Sequence, residues 1–141
     1  QNYFRLVNEY IRLRPGQRIH IEPGRSIVGQ CGSLISRVLF VKKGSKTVFV
    51  IIDAGMTDLI RPALYNAHHM IENLTSTGDE HWYDVVGPVC ESADTFATHI
   101  RLPETKRGDI IAIRSAGAYG ESMASRYNMR DLPGSVFSDE I

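Results

Sequence analysis

Short apolar runs separated by turn-forming residues fill residues 34–114. The turns contain glycine, as at Lys43-Gly44-Ser45 and Arg107-Gly108-Asp109. Runs of strand length at this spacing predict a mainly β fold, an antiparallel barrel or sandwich. The continuous apolar run Val48-Phe49-Val50-Ile51-Ile52 indicates a strand in the middle of the sheet. We expect strands within residues 34–41, 47–52, 70–74, 82–86, 95–100 and 110–114, and a short helix within residues 120–127 that carries Met123 and Tyr127 on one face.

The first 25 residues have a different pattern. Phe4, Val7, Tyr10 and Ile11 recur at helical spacing, which predicts a helix packed on one side and ended by Pro15-Gly16. Ile19-His20-Ile21 then alternates like a short strand. A helix followed by a strand is one unit of an α/β domain, and the units it should pack against are missing. The chain also begins with Gln1 directly before the helix, so we expect a fragment of a longer protein, with a domain boundary near residues 29–33.

Composition excludes several classes of function. The chain of 141 residues has 16 basic and 16 acidic side chains, so it lacks the positive charge of a nucleic-acid-binding protein. The apolar run at residues 48–52 is too short to cross a bilayer, so we expect no membrane association. No charged-then-apolar leader opens the chain, so we expect no secretory signal. Cys31 and Cys90 form no disulfide framework, which favours a reducing, cytoplasmic setting. The five histidines lack the spacing of a zinc motif, and we expect no metal site.

Glu22-Pro23-Gly24-Arg25 follows the predicted strand, at the end where α/β sheets bind ligands. Glycine lets backbone N–H groups approach an anion, and an arginine can hold a carboxylate or phosphate through two hydrogen bonds. The same four residues also fit an ordinary Pro-Gly turn with a surface arginine.

Three further motifs combine polar or reactive groups. Arg61 and Tyr65 are four residues apart, so a helix would place both on one face. Cys90-Glu91 follows a Gly-Pro turn, where a thiol can serve as a general acid and a carboxylate can pair with an ammonium group. Tyr119 lies among small residues, in a position to hydrogen-bond a cofactor. Each of these motifs also has an ordinary structural explanation. Tyr65 could be a half-buried aromatic, Cys90 a small buried hydrophobe, and Tyr119 an aromatic at the edge of the core.

Taken together and in this order, the motifs resemble the diaminopimelate decarboxylases, a family of pyridoxal-phosphate enzymes with an alanine-racemase-like barrel. The resemblance covers essentially the whole chain. It rests on Glu22-Pro23-Gly24-Arg25, Asp53-Ala54-Gly55-Met56, Arg61-Pro62-Ala63-Leu64-Tyr65, Gly87-Pro88-Val89-Cys90-Glu91-Ser92, Gly117-Ala118-Tyr119 and Tyr127-Asn128. It implies that residues 1–30 are the last unit of a truncated (β/α)8 barrel and that residues 31–141 form the C-terminal β domain.

The resemblance also implies an activity, the conversion of meso-diaminopimelate to L-lysine and CO2 at the end of lysine synthesis. Cys90 would return a proton to the substrate. The substrate would be bound by Arg25, Arg61, Tyr65, Glu91 and Tyr119, and the cofactor by Glu22, Pro23, Gly24, Arg25 and Tyr119. Cys90 and Glu91 would reach into the second subunit of a homodimer. The lysine that holds the cofactor would lie in the missing barrel, so we expect the chain alone to be inactive.

Two alternatives remain at this point. A related decarboxylase of ornithine, arginine, lysine or carboxynorspermidine would carry many of the same motifs. Relatives of that type carry aspartate after the cysteine, and this chain has Glu91, which together with Arg61 favours diaminopimelate. The second alternative is a β domain without catalytic activity that binds a partner protein.

Overall fold

The computed structural model describes residues 2–140. Six strands form one sheet: β1 (Ser33–Lys43), β2 (Val48–Ile52), β3 (Ile71–Asn73), β4 (Glu80–Val86), β5 (Thr95–Pro103) and β6 (Ile110–Arg114). Two α-helices are present in the described residues, α1 (Asn2–Tyr10) and α2 (Arg61–Tyr65). Single 3-10 turns lie at Gly29–Cys31, Glu121–Met123, Tyr127–Met129 and Ser138–Glu140. All six predicted strands are therefore confirmed, and so is the mainly β fold.

The strand order is β3-β6-β1-β2-β4-β5, which puts Val48–Ile52 in the middle as predicted. The long strand β1 pairs with β6 through residues 33–37 and with β2 through residues 38–43. An irregularity between Val38 and Phe40 separates these two pairings, and such bulges bend a strand and increase its twist. The edge strands β3 and β5 come into contact, so the sheet nearly closes as a barrel.

The interior of the sheet is filled by side chains that are almost completely buried. They come from every strand except the short β3, and Leu59 joins them from the segment before α2. The largest are Val38, Val50, Ile52, Leu59, Val85, Leu102, Ile111 and Ile113.

One strand pair departs from the expected antiparallel arrangement. β2 and β4 run parallel, with Phe49 opposite Asp84 and Ile51 opposite Val86. Parallel neighbours need a long crossover connection, and the segment between β2 and β4, which contains α2 and β3, supplies it. This crossover carries Arg61, Tyr65 and His69 across the end of the sheet.

The predicted helix–strand unit is only half present. Helix α1 forms as expected, but the predicted strand Ile19-His20-Ile21 is wrong, because residues 11–28 contain no strand. A strand needs a neighbour to take up its backbone hydrogen bonds, and no described strand pairs with this segment. Tyr10, Ile11 and Leu13 are likewise exposed, so the apolar face of the predicted packed helix is uncovered.

The helix predicted within residues 120–127 is also wrong. Two single 3-10 turns replace it, because the backbone is extended at Ala124 and interrupts the helix there. The Ser125 N–H donates instead to the Thr57 carbonyl at 2.9 Å. Hydrogen bonds to a neighbouring loop have therefore replaced the helical ones.

Candidate functional site

Arg25 is anchored to the loop that follows β6. Its Nε donates to the Ala118 carbonyl at 2.9 Å and its Nη2 donates to the Ser115 carbonyl at 3.0 Å. Arg25 is thus half-buried and engaged, which excludes the alternative of a free surface arginine. Tyr119 is the next residue after Ala118, so the structure brings Arg25 and Tyr119 together.

The backbone around Arg25 fits the same loop closely. The Gly117 N–H donates to the Gly29 carbonyl at 3.1 Å, and the Ala116 N–H donates to the Gly32 carbonyl at 2.9 Å. A Cβ on Gly117 would lie 2.2 Å from the Val28 carbonyl oxygen, so only glycine fits there. These contacts hold the segment from Arg25 to Gly32 against the end of β6.

Arg61 and Tyr65 share one face of α2, as their spacing predicted. The guanidinium carbon of Arg61 lies 5.2 Å from the centre of the Tyr65 ring, a cation–π distance. Asn66 ends the helix with positive φ, and its N–H donates to the Arg61 carbonyl. Tyr65 is exposed, whereas Arg61 is half-buried and its Nε is fully buried.

His69 lies beside both arginines. The imidazole is only 2% exposed, and its Nδ1 lies 2.9 Å from the Arg114 carbonyl oxygen. Burial lowers the pKa of His69, and the positive charges of Arg25 and Arg61 lower it further, against the raising effect of the Arg114 hydrogen bond. Both arginine charges therefore act on the His69 ring, which is bonded to the last residue of β6.

This cluster is cationic and incompletely bonded. Within residues 2–140, neither Arg25 nor Arg61 forms an ion pair with a carboxylate. Arg61 Nε and His69 Nε2 are buried without a hydrogen-bond partner. Buried polar groups in proteins are normally paired, so the cluster has the properties of a binding site for an anion.

Glu22, Pro23 and Gly24 are all exposed next to Arg25. A Cβ built on Gly24 would meet nothing within 4 Å. The chain itself therefore leaves space over Gly24, where a ligand phosphate could approach the backbone.

Cys90 and Glu91 lie on a separate exposed loop between β4 and β5, as predicted from the Gly-Pro turn. Asp94 organises this loop. The carboxylate accepts hydrogen bonds from the Val89 N–H and the Met56 N–H, both at 2.6 Å. A Cβ on Gly87 would lie 2.3 Å from an Asp94 oxygen, so the loop is closely folded around that carboxylate.

Glu91 faces the C-terminal segment. The Tyr127 hydroxyl donates to Glu91 Oε1 at 2.5 Å, and this hydrogen bond and the charge of Glu91 raise the pKa of Tyr127. The two side chains line a cavity of about 310 Å³ together with Met56, Thr57, Ile60 and Ser125. Glu91 is thus available at the rim of a cavity of small-ligand size.

Arg130 fixes the segment that carries Tyr127. Its Nη2 donates to the Asp53 carbonyl at 2.5 Å and lies 3.5 Å from Asp58 Oδ2, while its Nε donates to Thr57 Oγ1 at 3.1 Å. The Arg130 guanidinium therefore joins the Ser125 and Tyr127 hydrogen bonds in attaching residues 124–130 to the rest of the fold.

The predicted site residues form two groups. One contains Arg25, Arg61, Tyr65 and Tyr119 with the exposed Glu22-Pro23-Gly24 turn, and the other contains Cys90 and Glu91. No hydrogen bond or ion pair joins the two groups in the described part of the chain.

Sequence reasoning missed His69, Asp94 and Arg130. His69 was set aside because it has no zinc spacing, and its exposed neighbour His68 gives no sign of burial next door. Asp94 follows Cys90 by four residues, a spacing that a loop closed by a carboxylate allows. Arg130 has no local signal, because its partners lie more than 70 residues away.

The described residues contain neither a metal-binding cluster nor a membrane-spanning helix. No group of three or more His, Cys, Asp or Glu side chains there is placed to hold a metal ion. In the same residues, neither helix has the length and apolar character needed to span a bilayer.

Comparison with known proteins identifies the class. The sequence profile of the family described as "Pyridoxal-dependent decarboxylase, C-terminal sheet domain" matches residues 16–117. The chain belongs to this family.

The similar proteins are more specific than the family. A diaminopimelate decarboxylase of Bacteroides thetaiotaomicron is 60% identical over 141 residues, which is 100% of this chain and 36% of that protein. The crystal structure of diaminopimelate decarboxylase (I148L mutant) from Helicobacter pylori complexed with L-lysine has a TM-score of 0.74 at 54% identity, over 79% of this chain and 27% of that one. A diaminopimelate decarboxylase structure from M. jannaschii in co-complex with L-lysine has a TM-score of 0.81 at 37% identity, over 94% and 30%. The chain therefore spans about a third of the length of the relatives it matches.

Proposed function

We propose that this chain is the C-terminal part of a decarboxylase that converts meso-diaminopimelate to L-lysine and CO2. The observation that supports the proposal most directly is the half-buried cationic cluster of Arg25 and Arg61, which has no carboxylate partner in the described residues. Uncompensated buried charge is unfavourable, so a bound anion would complete it. The family and the similar proteins point to an amino acid as that anion.

The substrate has a carboxylate and an ammonium group at each end. An arginine paired with the departing carboxylate would stabilise the reactant and slow the loss of CO2. Arg25, Arg61 and Tyr65 therefore suit the carboxylate that remains in the product. Glu91 suits the distal ammonium group of the substrate.

Cys90 would supply the proton. When the carbon–carbon bond breaks and CO2 leaves, an electron pair remains on the α-carbon. The Cys90 Sγ–H gives its proton to that carbon, and the thiolate then regains a proton from water. The exposed position of Cys90 on the loop after Gly87 agrees with this role.

Pyridoxal phosphate, when bound through a lysine, accepts the electron pair that CO2 leaves behind. The residues of this chain fit one edge of the cofactor. Gly24 leaves open space, with Glu22 and Pro23 in the same turn. Arg25 is cationic, and Tyr119 is exposed beside Arg25. We place the lysine in the barrel of the parent enzyme, of which residues 1–30 would be the last unit and residues 31–141 the β domain. The chain alone would then bind the cofactor weakly and remain inactive.

Gly24 offers a test of the cofactor contact. In the parent enzyme, Gly24→Ala introduces no contact within 4 Å of this chain, so we expect unchanged folding but weaker pyridoxal-phosphate binding in equilibrium dialysis. Gly134→Ala is the matched control, because Gly134 also has open space around a Cβ. Equal cofactor affinity in both variants would remove Gly24 from the cofactor site.

The substrate is tested by turnover of the full-length parent. CO2 release is measured with meso-diaminopimelate, L-ornithine, L-arginine, L-lysine and carboxynorspermidine at equal concentrations. We expect turnover of meso-diaminopimelate to exceed the others. Product from L-ornithine with none from meso-diaminopimelate would overturn the proposal.

We further place the parent in the cytoplasm as a homodimer with sites shared between subunits. Cys90 and Glu91 are exposed and unconnected to the arginine cluster, which suits a loop that acts in the partner's site. Both cysteines are free, as a reducing compartment would keep them.

A further inference from the structure

His69 has one ring nitrogen without a partner. Nδ1 faces the Arg114 carbonyl oxygen at 2.9 Å, and a carbonyl only accepts, so Nδ1 carries the proton. Burial and the nearby arginine charges lower the pKa of His69, which keeps the ring neutral at physiological pH. Nε2 is therefore a buried acceptor, and it has no donor within the described residues.

Arg61 has an unpaired hydrogen-bond donor that complements this unpaired acceptor. Its Nε–H is a donor that is buried without an acceptor among the described residues. Arg25, the other cation near His69, already donates from Nε and Nη2 to the Ala118 and Ser115 carbonyls. Arg61 and His69 lie on the same segment between β2 and β3, and Arg61 is the donor in this cluster that still needs an acceptor.

We propose that His69 is a positioning residue for Arg61. In the assembled enzyme, His69 Nε2 accepts the Arg61 Nε–H, and this bond directs the two terminal nitrogens of the guanidinium to the substrate carboxylate. The pairing satisfies two buried polar atoms at once. The choice of ligand rests on the proposed function, whereas the pairing requires only these two side chains to come together, because neither atom has a partner in the described residues.

The test uses three variants of the full-length parent. His69→Phe keeps the ring shape without an acceptor, His69→Gln keeps an acceptor oxygen, and His68→Phe is the control at the exposed neighbour. Each variant is assayed for inhibition by L-lysine and by cadaverine. Cadaverine has the same chain and amines as L-lysine but no carboxylate.

We expect His69→Phe to weaken inhibition by L-lysine about tenfold, the effect of losing one well-oriented bond to a charged group, with cadaverine unchanged. His69→Gln should recover part of the loss, KM for meso-diaminopimelate should rise more than kcat falls, and His68→Phe should match wild type. Equal losses for L-lysine and cadaverine, or no benefit of glutamine over phenylalanine, would overturn the proposal.

A measurement on the wild-type parent separates this inference from the substrate assignment. Nitrogen-15 NMR with L-lysine bound should show an Arg61 Nε–H slowed in exchange and coupled to His69 Nε2. Absence of that coupling overturns the pairing, even if His69→Phe fails to fold. A parent that shows the coupling but does not decarboxylate meso-diaminopimelate would overturn only the proposed function.

Discussion

Asp94 is the residue on which the Cys90–Glu91 loop depends most. The carboxylate is 2% exposed and accepts from two backbone N–H groups, one in its own loop and one at Met56. Burial raises the pKa of Asp94, and the two backbone hydrogen bonds and the charge of Arg130 oppose that effect. The loop that presents the proposed proton donor is thus folded around a single acid.

Replacing Asp94 should be costly. Asp94→Ala leaves the Met56 and Val89 N–H groups buried without acceptors, so we expect a loss of about 2–4 kcal/mol in the free energy of unfolding. Denaturant unfolding of the parent enzyme measures it. Asp131→Ala is the control: Asp131 is exposed, its one ion pair spans 3.7 Å, and its removal should cost less than about 1 kcal/mol. Equal stability of the two variants would contradict this account of the loop.

His69 should make stability depend on pH. Its pKa is below the ordinary 6.5, first because of burial and then because of Arg25, Arg61 and the adjacent His68. As pH falls through 6.5, the unfolded chain takes up a proton that the folded one does not, so stability decreases toward acid. Thermal unfolding of the parent at about pH 7.5 and about pH 5.5 should show this decrease, and His69→Gln should reduce it. An undiminished decrease in His69→Gln, equal to that of His68→Gln, would assign the effect to other groups.

At the level of elements, the segment after β6 is held by few contacts. Arg130 bonds to Asp53, Thr57 and Asp58, and Ser125 bonds to Thr57. The two 3-10 turns contribute little order by themselves. Tyr127, which bonds to Glu91, depends on this attachment.

Arg130→Ala should release the segment. Loss of these charge-assisted bonds should increase the rate of limited proteolysis within residues 124–136 about tenfold or more in the parent enzyme. Arg126→Ala is the matched control, because Arg126 is exposed and forms one long ion pair with Asp131. Similar cleavage rates for both variants would show that other contacts fix the segment.

The elements that the sequence predicted correctly are those set by local pattern. Short apolar runs between glycine turns located all six strands, and the four-residue spacing of Arg61 and Tyr65 correctly indicated that a helix would place both on one face. The errors came where distant partners decide. Residues 19–21 form no strand because none of the described strands lies beside them, and Ser125, within residues 120–127, bonds to Thr57 rather than within a helix. The parallel pairing of β2 with β4 is likewise set by the crossover through α2.

For the site, the sequence identified the chemically important residues but did not predict how they are grouped in space. Arg25, Arg61, Cys90, Glu91 and Tyr119 stand out by chemistry in the sequence, and the structure divides them into two groups. The division follows from topology, because the arginines lie near the end of β6 and the cysteine lies between β4 and β5. At the scale of the whole molecule, this separation is the observation that supports the proposed sharing of sites across a dimer.

A mixing experiment checks the shared site. Cys90→Ala and Arg61→Ala versions of the parent should each have little activity alone. After subunits exchange, heterodimers contain one site with both residues intact, so activity should return to roughly a quarter of wild type. Native mass spectrometry confirms that heterodimers form. Heterodimers without regained activity would place both residues in the site of one subunit.

The attachment of Arg25 to the loop after β6 affects where the parent polypeptide tolerates a break. Arg25 and the backbone from Gly29 to Gly32 are bonded to residues 115–118, whereas residues 11–20 pair with no strand of the described chain. Cleavage of the polypeptide in that connection would leave Arg25 bonded to the loop after β6. The parent gene could therefore be divided there and its two products expressed as separate polypeptides, with the guanidinium already in position when they associate.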